Sequence, residues 1–286
     1  MSKPEVIEGP VRILGEGPRW FDGALWGVDI TGCLIWRLRD GNWQQWALPS
    51  MVGCLAPSEG RNLILGCADG LYRFNLDDET RSLIADPEPN REIRFNDGAV
   101  DPAGRLIAGT IPMTGPERAG SLFALDPDGR VRTLLTGIAC SNGIDWNNAG
   151  DQMYYVDSPT RRLDVIDYDL SSGAIGNRRP LVDWGDVPEV PDGLTVDADG
   201  NVWIALWGGW RIEVRDGSDG SLLETYPLPV ERVTAIAFGG DDLKTCFVTS
   251  AREGLSDSEI AEQPLAGRTF ACRPGAKGRP CRAFAG

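Results

Sequence analysis

The sequence predicts an all-β protein folded as a six-bladed β-propeller, and three observations lead to this prediction. First, a unit of two apolar strands separated by a Gly- or Asp-containing turn recurs six times, at intervals of roughly 37 to 50 residues, which is the range of propeller blades. Second, another pair of strands follows within each interval, giving four strands per repeat. Third, the chain has no long amphipathic helix pattern, and its 36 glycines and 20 prolines are typical of many short strands joined by tight turns.

The two-strand units follow one another in order along the chain. They are Gly15–Asp29, Gly53–Gly66, Asn96–Thr110, Asn142–Asp157, Pro191–Trp207 and Thr234–Thr249. The second pairs of strands are illustrated by residues 34–38 with 43–48, 121–125 with 131–134, and 163–168 with a strand around 181–182. A β-sandwich pair or an irregular all-β domain is the alternative, but the glycines recur at the same places in the units and favour the propeller.

Closing a ring of blades requires a strand from one terminus to complete the blade that the other terminus begins. The candidates are the N-terminal segment 6–14 and two C-terminal strands, 268–272 and 281–284. Because no linker interrupts the repeats, we expect one domain over residues 1–286.

Composition excludes several classes of function. The net charge is −14 with no offsetting basic stretch, which argues against a nucleic-acid or anionic-membrane partner. No apolar run reaches the roughly 20 residues of a membrane span, and the N-terminal MSKPEVIEGP lacks an apolar signal core, so a cytoplasmic location is expected. The seven cysteines are odd in number and form no CxxC pair, which favours unpaired thiols.

Histidine is absent from the chain, and this restricts its chemistry more than any other feature. Ser-His-Asp and Cys-His catalysis and His-ligated zinc sites are excluded. Any acid–base or metal chemistry must therefore use Asp, Glu, Asn and water.

The residue that enters the innermost strand of each blade lies at one mouth of a propeller's central channel. Around the ring, this position is occupied by Glu16, Gly53 or Cys54, Asn96-Asp97, Asn142, Asp192 and Thr234. A ring that brings Glu16, Asn142 and Asp192 together offers two carboxylates and one amide oxygen, a hard-ligand set suited to Ca²⁺, Mg²⁺, Mn²⁺ or Fe²⁺.

Asp-Gly and Asn-Gly are also ordinary turn dipeptides, so a single one of them indicates a turn rather than a ligand. Their recurrence at the same phase of successive blades favours the metal site. Asp101, Asp197 and Asp199 occupy the following phase, inside the turns, and we assign them to turns only.

Several long strings resemble one known family. They are GEGPRW, RFNDGAVDPAGRLIAGT, SNGIDWNNAGDQMYYVDS, PDGLTVDADGNVWIALWGG and the C-terminal FGGDDLKTCFVTSAREGLSDSEIAEQPLAGRTF. Together they span nearly the whole chain, and they resemble the gluconolactonase, regucalcin (senescence marker protein) and luciferin-regenerating enzyme family. That resemblance implies a six-bladed propeller, metal ligands at Glu16, Asn142 and Asp192, and substrate-hydroxyl contacts at Arg94 and Asn96. Asp97, the next residue of the RFNDG motif, is a further candidate for substrate binding.

The resemblance also implies an activity, the hydrolysis of a sugar lactone to its aldonic acid with one divalent cation, which could be Ca²⁺, Zn²⁺, Mn²⁺, Mg²⁺ or Fe²⁺. Because the chain has no histidine, Asp192 is the best candidate to accept the proton of the attacking water. Animal members of the family carry a substrate-contacting Glu in the loop after the AGT strand. Thr114 stands near that place here, and Glu117, further along the loop, is the residue that could replace the acid.

Two other functions fit the same residues. A regucalcin-like Ca²⁺-binding regulatory protein would use the same three ligands. A phosphotriester or aryl-lactone hydrolase is suggested by Trp20, Trp207 and Trp210, although these side chains could equally stack on a sugar ring or pack between blades. The sequence leaves open which lactone and which metal are used, and the oligomeric state.

Overall fold

The computed structural model describes residues 3–115 and 117–286. It contains six antiparallel sheets of four strands each, which are the six blades of a β-propeller. The predicted fold class is therefore confirmed. In five blades the four strands are consecutive in the chain, and in the sixth the outermost strand comes from the N-terminus.

The strands are numbered along the chain. Strand β1 (Glu5–Ile7) belongs to blade six. Blade one has β2 (Gly15–Phe21), β3 (Ala24–Asp29), β4 (Leu34–Arg39) and β5 (Asn42–Ala47), and blade two has β6 (Val52–Pro57), β7 (Asn62–Cys67), β8 (Gly70–Asn75) and β9 (Arg81–Ala85). Blade three has β10 (Ile93–Val100), β11 (Leu106–Pro112), β12 (Gly120–Leu125) and β13 (Val131–Ile138). Blade four has β14 (Ser141–Trp146), β15 (Gln152–Asp157), β16 (Arg162–Asp169) and β17 (Ala174–Asp183), with a 3₁₀ turn at Ser158–Thr160. Blade five has β18 (Val190–Val196), β19 (Val202–Trp207), β20 (Arg211–Arg215) and β21 (Leu222–Pro227). Blade six has β22 (Val233–Gly239), β23 (Thr245–Ser250) and β24 (Thr269–Cys272), and one short helix, α1 (Asp257–Glu262), precedes β24.

The ring closes in blade six, where strand β1 pairs antiparallel with β24. The predicted contributions of the N-terminal segment and of 268–272 are thus confirmed. The prediction of a strand at 281–284 is wrong. In this part of the tail, Phe284 N donates to the oxygen of Pro57 at the end of β6 at 2.8 Å, and Ala285 N donates to the oxygen of Gly104 in the turn before β11 at 3.0 Å. The bonds go to two different blades and form no ladder with a single strand.

The apolar core lies between the blades. Strands near the channel are covered by neighbouring blades on both faces, whereas the outermost strands are partly exposed to solvent. Every residue of β3 is buried, whereas β5 alternates between exposed and half-buried residues. Large aromatic rings fill the wide spaces towards the rim, as where Trp26 stacks on Phe21 and Trp46 with centroids 5.0 and 5.6 Å apart. This packing leaves the centre of the ring to the six inner strands.

Two further sequence predictions concern local structure. All seven cysteines are unpaired, as expected. Asp101 and Asp197 lie in turns, where Asp197 accepts hydrogen bonds from the backbone of Asn201 and the indole of Trp203. Within the described residues, no helix is long and apolar enough to span a membrane.

Candidate active site

Each of the six inner strands has a break in its pairing register at the position where it enters the channel. The breaks fall between Glu16 and Arg19, Val52 and Cys54, Phe95 and Asp97, Asn142 and Ile144, Pro191 and Leu194, and Val233 and Ile236. A bulge of this kind bends the strand and changes the direction of its side chains. The repeated bulge therefore turns one side chain per blade towards the channel mouth.

Glycines in these bulges let neighbouring inner strands approach closely. A Cβ on Gly53 would lie 2.3 Å from the backbone oxygen of Phe95, and a Cβ on Gly193 would lie 2.8 Å from the backbone oxygen of Thr234. Such distances are impossible for any residue with a side chain, so glycine is required there. The close approach is what makes the channel narrow enough for side chains from different blades to meet.

The mouth of the channel is a cavity of about 290 Å³. This is near the lower end of the range of roughly 300–1,000 Å³ found for small-molecule sites. The residues lining it are Leu14, Glu16, Ile30, Arg94, Asn96, Ile111, Cys140, Asn142, Ser158, Pro159, Val190, Asp192, Trp207 and Glu253. Five of the six residues predicted for the site are in this set, and polar groups from blades one, three, four and five face one another across it.

A chain of hydrogen bonds orients the two asparagines. Arg94 Nη1 donates to Asn96 Oδ1 at 2.7 Å, and Asn96 Nδ2 donates to Asn142 Oδ1 at 2.9 Å. Asn142 Nδ2 in turn donates to Ser158 Oγ at 2.8 Å. Since an amide oxygen has two lone pairs, Asn142 Oδ1 keeps one acceptor site for a ligand while its orientation is held on both sides.

The two carboxylates of the predicted metal set are buried without a cation from the protein. Glu16 is 7% and Asp192 5% exposed, and neither forms an ion pair among the described residues. Burial and the nearby charge of Asp97 raise the pKa of Glu16 to about 8. Burial, and then the charges of Glu16 and Asp97, raise the pKa of Asp192 well above its ordinary range.

A divalent cation fits this arrangement, because it would neutralise two buried like charges and accept hard oxygen ligands. The donor set is two carboxylates and one amide oxygen. Only two of these three residues are acids. In the part of the chain that the structure describes, no group of three or more His, Cys, Asp or Glu side chains could hold a metal ion, so a site here would depend on the amide oxygen as well. The remaining ligands of a cation would come from water and substrate.

Two buried aspartates, at the ends of the second strands of blades one and four, hold the segments that lead into the site. Asp29 Oδ1 accepts from Leu14 N at 3.0 Å, just before β2, and Asp157 Oδ1 accepts from Cys140 N at 2.9 Å, just before β14. Both aspartates follow a valine at the end of an apolar strand, at Val28-Asp29 and Val156-Asp157. That repeated Val-Asp pair is the signal by which the sequence could have identified these supports.

Asp97 differs in its surroundings from the other five predicted site residues. Its carboxylate lies 3.7 Å from Arg19 Nη2 and accepts from Gly98 N, and it does not line the cavity. The bulge makes Asn96 the unpaired residue of β10, so Asp97 resumes the pairing with Gly109 further along the strand. Burial raises its pKa, and Arg19 opposes this rise. The charge of Asp97 raises the pKa values of Glu16 and Asp192, and its role in substrate binding stays a prediction.

The predicted aromatic residues separate as well. Trp207 lines the cavity, with the guanidinium of Arg232 at 5.0 Å from its ring centroid. Trp20 instead stacks on Phe247 and lines a smaller cavity of about 80 Å³ further along the inner strands. Trp210 lies in a turn and is 42% exposed. Only Trp207 is therefore positioned to contact a molecule at the channel mouth.

The remaining entrance positions have structural roles. Thr234 Oγ1 donates to Gly15 O at 2.6 Å and so joins blade six to blade one. Cys54 is buried in the core between blades two and three. Thr114 and Glu117 are exposed on the loop after β11, and neither lines the cavity.

Comparison with known proteins identifies the family of this chain. The family model described as "SMP-30/Gluconolactonase/LRE-like region" matches residues 14–252. The chain belongs to this SMP-30/gluconolactonase/LRE-like family. It is 36% identical over 274 residues to the Bacillus subtilis protein named "Putative sugar lactone lactonase YvrE", covering 94% of each chain. It is 35% identical over 283 residues to regucalcin of Oryctolagus cuniculus, covering 95% of each.

Solved structures of the family have the same fold. The crystal structure of regucalcin from Agrobacterium tumefaciens, described as a calcium-binding protein, superposes with a TM-score of 0.94 at 30% identity, covering 99% of this chain and 97% of the other. A luciferin-regenerating enzyme superposes with a TM-score of 0.91 at 31% identity, covering 99% of both chains. The family match contains Glu16, Arg94, Asn142 and Asp192 and ends one residue before Glu253.

Proposed function

We propose that this protein is a metal-dependent sugar lactonase that hydrolyses an aldonolactone to the aldonic acid. The observation that supports it best is one cavity in which two buried carboxylates and an amide oxygen face a hydrogen-bonded Arg94–Asn96 pair. Its volume of about 290 Å³ suits a monosaccharide-sized molecule. The family includes proteins named as lactonases, and the Bacillus subtilis relative is named for a sugar lactone.

The proposed roles follow from the chemistry of each side chain. Glu16, Asn142 and Asp192 would hold a divalent cation, and when bound it would polarise the lactone carbonyl and stabilise the developing oxyanion. Arg94 and Asn96 would bind ring hydroxyls and orient the ester. Asp192 would accept the proton of the attacking water, because no histidine is present and it is one of the two buried carboxylates at the mouth. Trp207 would provide an apolar face for the sugar ring.

The test measures hydrolysis of a panel of aldonolactones by pH-stat titration. The protein is first treated with chelator and then reloaded with Ca²⁺, Zn²⁺, Mn²⁺, Mg²⁺ or Fe²⁺. We expect no turnover without metal and restored turnover with at least one ion. Asp192→Ala and Glu16→Ala should abolish the activity while circular dichroism shows an intact fold. Asp199→Ala is the matched control, because this acid is exposed in the turn of the same hairpin and should leave turnover unchanged.

Other outcomes point to other functions. Full activity of a folded Asp192→Ala or Glu16→Ala variant would contradict the site assignment. Tight Ca²⁺ binding without turnover of any lactone would favour a regulatory Ca²⁺-binding protein. Turnover of a phosphotriester or an aryl lactone in place of sugar lactones would favour a different hydrolase on the same scaffold.

A further inference from the structure

Glu253 is an acid of the cavity that belongs to none of the predicted site motifs. It follows β23 in blade six and lines the same space as Glu16, Arg94 and Asp192. Its backbone N donates to Ile13 O at 2.9 Å. The position of the residue is therefore held by main-chain bonds to the segment before blade one.

The carboxylate of Glu253 is half-buried and unpaired. Among the described residues its side chain has no hydrogen bond and no ion pair, whereas Glu189 and Glu213 are both paired with Arg211. Burial raises the pKa of Glu253, and the charge of Arg94 opposes the rise from across the cavity. A partly buried carboxylate has lost part of its hydration. That loss is unfavourable unless hydrogen-bond donors, such as those of a ligand, replace the water.

The location of Glu253 complements that of Arg94. Arg94 and Glu253 both line the cavity, and they come from blades three and six, which are opposite each other in a ring of six. An ionised carboxylate accepts hydrogen bonds only, and it can accept from two adjacent hydroxyls, while a guanidinium only donates. A polyhydroxylated ring placed between them would have its hydroxyls engaged on both sides.

The loop after β11 does not supply an acid to this cavity, since Thr114 and Glu117 are exposed and lie outside it. We propose that Glu253 is the substrate-binding acid of this protein, accepting hydrogen bonds from lactone hydroxyls and thereby selecting polyhydroxylated lactones. This inference rests on the proposed lactonase function. It assigns to blade six the contact that the loop after β11 does not make.

The test compares Glu253→Gln with Glu117→Gln in the metal-loaded protein, using D-glucono-δ-lactone and D-xylono-γ-lactone. Each substitution removes one negative charge with almost no change of shape. We expect Glu253→Gln to raise KM by ~10–100-fold, the loss expected for a hydrogen bond to a charged group, with kcat within about threefold of wild type. Glu117→Gln should behave as wild type, and the Ca²⁺ dissociation constant measured by calorimetry should be unchanged in both.

Four outcomes would overturn the inference. The first is a kcat/KM of Glu253→Gln within about threefold of wild type, and the second is a decrease in kcat with an unchanged KM. The third is a decrease in Ca²⁺ affinity as large as the rise in KM, and the fourth is a rise in KM in Glu117→Gln instead of Glu253→Gln. Wild-type protein that hydrolyses neither lactone with any metal contradicts the proposed lactonase function itself, and this inference with it. An active wild type with an unaltered Glu253→Gln variant contradicts the role of Glu253 alone.

Discussion

Glu16 should destabilise the metal-free protein at alkaline pH, and its isosteric replacement by Gln should therefore stabilise it. Burial and the charge of Asp97 raise the pKa of Glu16 from 4.5 to about 8. The folded state thus favours the protonated carboxyl. Its stabilising contribution is complete below pH 4.5 and is lost as the pH rises through 8.

The magnitude follows from that shift. A rise from 4.5 to about 8 corresponds to roughly 5 kcal/mol between the two protonation states. Because the charge of Asp192 is coupled to that of Glu16, about 2–5 kcal/mol is expected for removing Glu16 alone. For a chain of this size that difference is on the order of 5–10 °C in Tm.

The assay is thermal unfolding of wild type and Glu16→Gln between pH 5 and pH 9 in excess chelator. The Tm of the variant should exceed that of wild type by an amount that is small at pH 5 and largest at pH 9. Excess Ca²⁺ should raise the Tm of wild type and have much less effect on the variant, which lacks one carboxylate ligand. Glu59→Gln, at an exposed turn, is the control and should show neither effect. A variant no more stable than wild type at pH 9 in chelator, or a difference that does not depend on pH, would refute the reasoning.

Three further predictions concern residues outside the site. Asp197→Ala should lower the free energy of unfolding by about 2–4 kcal/mol in urea denaturation. The reason is that the buried turn loses the carboxylate that accepts from the indole of Trp203, which is left unpaired. The kcat and KM of the folded protein should stay unchanged. Leu65→Ala, at a fully buried core position, should cost about 3–5 kcal/mol in the same measurement, and a cost below 1 kcal/mol would contradict its assigned packing. Ser256→Ala should cost only about 1 kcal/mol, since it removes the exposed capping box that Ser256 forms with Glu259, and an effect as large as that of Leu65→Ala would contradict this account.

The predicted cavity residues were found by their phase in the repeat. Glu16, Asn142 and Asp192 each stand at the entrance to an inner strand, and the structure brings all three to one cavity. This succeeded because strand alternation and turn chemistry are local properties that six similar units repeat. Phase alone does not show which residue of a bulge becomes unpaired, so it could not distinguish Asn96, which lines the cavity, from Asp97, which does not.

The tail and the unpaired acid illustrate what repeats cannot predict. A strand was expected at 281–284 because the ring must close, but Phe284 N bonds to Pro57 in blade two and Ala285 N to Gly104 in blade three. Glu253 follows the last hairpin and has no counterpart in the other repeats. Its exposure to the cavity depends on its bond to Ile13, which is distant in the sequence.

The sequence by itself determined the all-β class, the six repeats, the absence of histidine chemistry and the residues that enter each inner strand. Those features depend on local periodicity and composition, which a single chain displays directly. Only the tertiary structure decided which polar groups share one cavity, how Asn96 and Asn142 are oriented, and that Glu253 lines the cavity with no hydrogen-bond partner among the described residues. The reason is that these relations arise when the ring closes, and closure brings together side chains that lie up to a whole chain apart in sequence.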